Sequence, residues 1–92
     1  MRRIFIEGQN GTLFEFGIGS FVKFDGGLTD RCHKIWLVNN GQGGEELGRF
    51  NDYTTAKQVF SDLKYFICSS ANQEIFHQTN PFQIPQEKTK NE

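Results

Sequence analysis

The chain has 92 residues and a mass of 10.6 kDa, which is enough for one compact domain and too little for two. Its 10 basic and 11 acidic residues nearly cancel, and no stretch is strongly basic, so direct binding of DNA or RNA is not expected. The N-terminal apolar run is too short for a signal peptide, and nothing approaches the roughly 20 apolar residues of a membrane span. We therefore expect one cytoplasmic domain without a membrane partner.

The first half of the chain alternates short aromatic or β-branched segments with turns that contain glycine, a pattern typical of antiparallel hairpins. All ten glycines lie within the first 48 residues. We expect Asn10-Gly11 to form a turn that uses positive φ, and Gly17 and Gly19 to bend the chain. The predicted strands cover residues 3–7, 12–16, 20–24, 31–39 and 45–50.

From Asp52 onward, apolar residues recur at intervals of three, four and seven, which predicts one amphipathic helix over residues 52–70. Asp52 is the expected N-cap. A helix of this size is marginal alone and buries its apolar side only against another element. The expected fold class is therefore α+β: a five-stranded antiparallel meander packed against one helix, with an extended C-terminal arm. The apolar side of the helix comprises Ala56, Val59, Phe60, Leu63, Phe66 and Ile67.

Both prolines, Pro81 and Pro85, follow the helix and exclude helical structure around them. We expect an arm over residues 75–85 that completes a single domain of residues 1–85, and a flexible tail over residues 86–92. The sequence leaves open whether Ile75-Phe76 extends the helix or begins a strand. It also leaves open whether the arm packs on its own domain or on a neighbouring subunit.

No motif indicates catalysis or a bound metal. Cys32 and Cys68 stand 36 residues apart without a CxxC pattern, and His77 has no further ligand at a suitable spacing. His33 follows Cys32 on a predicted strand, where neighbouring side chains point to opposite faces. The two are therefore not expected to form a thiolate–imidazole pair. The glycine-rich segment 39–44 precedes a strand rather than a helix, so a hairpin loop is favoured over a phosphate site. We expect a protein that is not an enzyme and uses no cofactor.

One constellation is more specific than composition. The segment Glu46-Leu47-Gly48-Arg49-Phe50 leads directly into the capped helix, Ile4-Phe5-Ile6 precedes the Asn10-Gly11 turn, and Phe82-Gln83-Ile84-Pro85 closes the chain. Together these segments resemble a group of small uncharacterised proteins of bacteriophages and prophages of Gram-positive bacteria. The resemblance implies a protein that acts on host defence, because small phage proteins are commonly inhibitors of defence effectors or sponges for nucleotide immune signals.

On this basis the expected function is that of an anti-defence protein of the host bacterial cytosol, most concretely a homo-oligomeric sponge that sequesters a nucleotide-derived signal. A protein-binding inhibitor of a host effector, similar to anti-CRISPR proteins, is the alternative. A small structural or regulatory phage protein is the second alternative. Ten phenylalanines are more than one sheet and one helix need, and this surplus favours an interface.

A nucleotide-like ligand requires an aromatic plane for the base and one or two cations for phosphate. Trp36 is the only tryptophan, and period-two counting places Lys34 on its face of the fourth strand. Arg49 and Tyr53 lie where the fifth strand enters the helix. These four residues form the candidate ligand site. The alternatives are a core ring beneath the helix for Trp36 and a solvated strand-end charge for Arg49, and Tyr53 is ambiguous in the same way.

Overall fold

The computed structural model describes residues 4–39, 43–72 and 80–87. Within these ranges the chain is an α+β fold with five strands in antiparallel pairing and one helix, which confirms the expected class. A short sixth strand follows the helix. The elements in chain order are β1 (Ile4–Glu7), β2 (Leu13–Phe16), β3 (Ser20–Asp25), β4 (His33–Asn39), β5 (Glu45–Phe50), α1 (Tyr53–Asn72) and β6 (Phe82–Gln83).

The strands divide into two three-stranded sheets, ordered β2-β1-β6 and β3-β4-β5. The first five strands keep the expected sequence of antiparallel neighbours except between β2 and β3, which belong to different sheets. The turn between them contains Gly19 at φ +85, a left-handed conformation that glycine adopts without a steric penalty. The expected bend at this point is therefore where the first sheet ends and the second begins.

Both sheets and α1 share one hydrophobic core. The helix lays its apolar side on β4 and β5, and β1 approaches it from the first sheet. Phe14 and Phe16 share a face of β2, as the alternation predicts, and both pack against this core. The buried members of the core are Ile6, Ile35, Leu37, Leu47, Phe50, Ala56, Val59, Leu63 and Ile84.

A β-bulge interrupts the pairing of β4 with β5. Ile35 lies opposite Gly48 and Trp36 opposite Glu46, so that Leu47 is the extra residue of β5. Leu47 and Gly48 are consecutive and both buried, which regular alternation along a strand does not allow. The bulge thereby shifts the inward and outward positions of β5 by one residue.

Gln9 ties the first sheet to the outer edge of β5. Its backbone N–H donates to the Leu47 carbonyl oxygen at 2.8 Å, and its side-chain Oε1 accepts from the Arg49 N–H at 2.8 Å. Its Nε2 donates to the carbonyl oxygens of Arg49 at 3.2 Å and of Pro85 at 3.0 Å. Gln9 thus binds Leu47 and Arg49 at the edge of β5 as a neighbouring strand would, and its side chain holds the C-terminal segment beside them.

The C-terminal segment packs on its own domain. β6 adds to β1 in parallel, and the Ile84 N–H donates to the Glu7 carbonyl oxygen at 2.9 Å. Ile84 is buried against Gly48. A Cβ atom added to Gly48 would lie only 2.7 Å from the Cγ2 atom of Ile84, so a side chain at position 48 would collide with Ile84. The packed segment continues beyond residue 85, because the Glu87 carboxylate accepts the N–H groups of Asn51 and Asp52 at 2.8 Å each. Ile75-Phe76 and the remaining tail, residues 88–92, lie outside the described residues.

We expect Asp52→Ala to lower the free energy of unfolding by about 1 kcal/mol. Asp52 acts as the expected N-cap, because its Oδ2 accepts the backbone N–H of Thr55 at 2.8 Å and the Thr55 hydroxyl at 2.7 Å. Urea denaturation of the two proteins measures the difference. The control is Asp52→Asn, which keeps an acceptor oxygen and should retain most of the stability; equal losses in both variants would contradict the capping role.

Gln9→Glu should destabilise the fold by about 1–2 kcal/mol at neutral pH, although it preserves the size of the side chain. A carboxylate can still accept from the Arg49 N–H, but it cannot donate to the carbonyl oxygens of Arg49 and Pro85. Urea denaturation again gives the free energy. Protonating the introduced carboxyl group at low pH restores one donor, so the deficit relative to the parent protein should shrink there; a deficit independent of pH would argue against these bonds.

Candidate functional site

The two faces of β4 have different surroundings. His33, Ile35 and Leu37 are buried on the side of α1, whereas the alternate residues are half-buried on the opposite side. Residues directly opposite one another on neighbouring strands share a face, so the register defines the rest of this second surface. We call it the open face of the β3-β4-β5 sheet. It carries Phe21, Lys23 and Asp25 from β3, Lys34, Trp36 and Val38 from β4, and Glu46 and Arg49 from β5.

Trp36 occupies the middle of the open face, between Lys23 of β3 and Glu46 of β5. The Lys34 ammonium lies 5.7 Å from the centroid of the indole ring, within the range of a cation–π contact. The indole Nε1 is buried and has no hydrogen-bond partner among the described residues. Its neighbours on β4, Ile35 and Leu37, pack in the core with α1, so Trp36 lies on the face of the sheet that is opposite the helix.

Arg49 reaches the open face because of the bulge. Regular alternation would put residues 46 and 49 on opposite faces, but the extra residue places both outside the core. The Arg49 guanidinium donates two hydrogen bonds of 3.1 Å to the Glu46 carboxylate. Hydrogen bonding to Glu46, with its negative charge, raises the pKa of Arg49 above its usual value. Arg49 thus stays positively charged, and its guanidinium already binds one carboxylate through two hydrogen bonds.

Tyr53 lies on the other side of the sheet. Its ring packs edge-on against buried His33 at 5.4 Å and against Phe24 at 6.0 Å between centroids. The Lys57 ammonium lies 6.0 Å from the Tyr53 centroid and 4.9 Å from that of Phe24. The structure therefore brings together three of the four candidate residues, Lys34, Trp36 and Arg49, and separates Tyr53 from them. A single ligand on the open face has no contact with Tyr53.

Sequence reasoning missed the contribution of β3 to the candidate site. Lys23 lies directly opposite Trp36, and Phe21 lies opposite Val38. Period-two counting along β3 puts Phe21 and Lys23 on one face, but it does not say which face of β4 they join. Only the register between the strands gives that information, so these two residues had no signal in the sequence that linked them to Trp36.

Other features of the described residues offer less for a charged ligand. An open groove between α1 and β6 is lined by uncharged residues: Phe66, Asn80, Pro81, Phe82 and Gln83. Within residues 4–39, 43–72 and 80–87, no three His, Cys, Asp or Glu side chains are grouped to hold a metal ion. No helix in the same ranges is long and apolar enough to cross a membrane. The open face remains the candidate site.

Comparison with protein-family models, with curated proteins and with solved structures gave no significant match.

Trp36 is the only tryptophan, so its fluorescence reports directly on the open face. With Lys23, Lys34 and Arg49 around the ring, we expect the anionic quencher iodide to be more effective than the cationic quencher caesium. Lys34→Met should lower the iodide quenching constant and leave that of neutral acrylamide nearly unchanged. Acrylamide quenching close to zero in the folded protein would instead indicate a buried core ring.

Proposed function

We propose that the protein acts by binding, and that its ligand is a nucleotide-like anion held on the open face. The observation that carries the proposal is the grouping of Trp36 with Lys34 and Arg49 on a sheet surface that α1 does not cover. An indole plane accepts a stacked base, and the two cations meet the requirement of phosphate for charge and donors. The side-chain set matches the chemistry of a nucleotide better than that of a neutral or purely apolar molecule.

The charges of the open face support an anionic ligand. Three cations, Lys23, Lys34 and Arg49, stand against Asp25 and Glu46. The Glu46 carboxylate occupies the guanidinium of Arg49, and a phosphate group fits the same two donors bidentately. This salt bridge lies at the surface, where ion pairs contribute little to stability, so the Arg49 donors are available to a phosphate in place of the carboxylate.

A sheet surface touches a ligand from one side only, whereas small-molecule sites are usually concave. We therefore include self-association in the proposal: a second copy supplies contacts that one copy lacks. In biological terms this is a homo-oligomeric sponge that removes a nucleotide-derived immune signal in the host cytosol. The resemblance to small phage and prophage proteins and the small size of the domain support this role.

A protein-binding inhibitor of a defence effector is the second candidate. Phe21 is 51% exposed on the open face, next to half-buried Trp36 and Val38, and charged residues surround the three. An apolar centre with a polar rim is also the anatomy of a protein interface. The two functions use the same surface, so they differ in the size of the ligand rather than in its location.

A panel of linear and cyclic adenine and guanine nucleotides tests the first candidate. We expect at least one member to quench Trp36 fluorescence and to raise the melting temperature, with stabilisation of about 2.7 kcal/mol at 100 times its Kd. Lys34→Met and Arg49→Met should each weaken binding by about tenfold, because each removes a charge-assisted contact worth about 1.5 kcal/mol.

Tyr53→Phe is the matched control, because Tyr53 lies across the sheet and its packing is kept. It should leave nucleotide affinity unchanged. Equal losses in Tyr53→Phe and Lys34→Met would place the ligand elsewhere. Failure of every nucleotide, combined with the same Lys34 and Arg49 dependence for capture of a defence effector, would favour the second candidate.

A further inference from the structure

The two outer strands of the β3-β4-β5 sheet have different edges. On β5, Gln9 binds the carbonyl of Leu47 and both backbone groups of Arg49, and Glu87 accepts the following N–H of Asn51. β3, the opposite outer strand, has six residues and pairs only with β4 among the described strands. An unpaired strand edge is a row of donors and acceptors that another strand fits. Among the described residues, one edge of this sheet is thus covered and the edge of β3 has no partner strand.

We propose that β3 pairs edge to edge with β3 of a second copy of the chain, in antiparallel orientation about a two-fold axis. The result is a continuous six-stranded sheet with both helices on one side and both open faces on the other. The proposal rests on the self-association included in the proposed function and names its interface, which is tested on protein without ligand. Its occupant is a second copy rather than an unrelated peptide, and the side chains of β3 give the reason.

The charge on β3 selects the register. Directly opposed residues of antiparallel strands share a face of the sheet. The two-fold axis therefore has to lie midway between the two copies of one residue, which face each other, and we name each register by that residue. An axis at Lys23 would place the two Lys23 side chains opposite each other, which is unfavourable. An axis at Phe24 would leave only residues 23–25 of the two strands facing. An axis at Val22 pairs residues 20–24 and puts Phe21 opposite Lys23 of the second copy, twice, with no like charges opposed.

Exposed apolar side chains flank the same strand. Ile18 is 87% exposed in the turn before β3, and Leu28 is 75% exposed in the loop after it. Antiparallel pairing brings the start of one β3 to the end of the other, so each copy directs an apolar turn residue toward the apolar loop of its partner. Phe21, 51% exposed, lies between them. Three of the exposed large apolar residues are thus distributed along one edge in a self-complementary order.

The pairing would also extend the candidate ligand site. In the register proposed, one row across the open faces runs from Glu46 through Trp36 and Lys23 to Phe21 and Val38 of the second copy. Each Trp36 then has an aromatic ring of the other copy two strands away, at roughly 10 Å. The second copy therefore contributes residues to the surface around Trp36. A single copy has only part of that surface.

Charge variants at the exposed position 21 test the interface in ligand-free protein by sedimentation velocity over a range of concentrations. The parent chain should show a concentration-dependent dimer. Phe21→Lys places two like-charged pairs across the axis and should raise the dimer Kd about tenfold, whereas Phe21→Glu should lower it by about the same factor. The double variant F21K/K23E restores opposite charges and should restore the dimer.

Leu13→Lys is the matched control, because Leu13 is 54% exposed on β2, which is also an outer strand. It should leave the dimer Kd unchanged. A chain that stays monomeric at every concentration overturns the proposal. A lower dimer Kd for Phe21→Lys with a higher one for Phe21→Glu, or equal weakening by both variants, overturns the Val22-centred register. Nucleotide binding is measured separately, so its absence would not affect this result.

Discussion

The bulge in β5 is the constraint on which the rest of the structure depends. By placing Leu47 and Gly48 side by side on the inner surface, it gives the helix a leucine to cover and leaves a gap without a side chain for Ile84. The C-terminal segment fills that gap. Beyond the bulge the alternation resumes with Arg49 outside and Phe50 inside. The one extra residue therefore determines which β5 side chains lie in the core and which lie on the open face.

Gln9 stabilises the bulged arrangement of β5. A bulge leaves backbone groups of the strand without their regular partners, and buried or half-buried groups need replacements. The Gln9 amide supplies an acceptor and a donor to Arg49 while its backbone N–H serves Leu47. The same side chain binds Pro85. Two sheets and the C-terminal segment, remote in sequence, are therefore joined by one residue that follows β1.

The phenylalanines show how incompletely this small core encloses its rings. Of the nine phenylalanines that the structure describes, Phe50 alone is fully buried, Phe21 is exposed and the others are half-buried. Several contact one another or a lysine at the surface, as Phe24 does with Phe60 and Lys57. A domain of this size has too much surface for its volume to bury large rings completely. The surplus in composition is thus located at the periphery, where rings are available for association.

Local pattern was sufficient for much of this protein. The strand segments, the helix, its Asp52 cap and the turn glycines follow from periodicity and backbone chemistry, which act over a few residues and are legible in one sequence. The pairing of Lys34 with Trp36 on one face belongs to the same class, since it needs only alternation within β4.

Tertiary structure decided what local pattern could not: the division into two sheets, the side of β4 that the helix covers, the bulge that puts Arg49 on the same face as Trp36, and the position of Tyr53 on the opposite side. Each of these depends on register or on contacts between segments distant in sequence, such as Gln9 with Arg49 and Gly48 with Ile84. Alternation along a strand predicts which residues share a face, but only the packed structure shows which elements each face contacts.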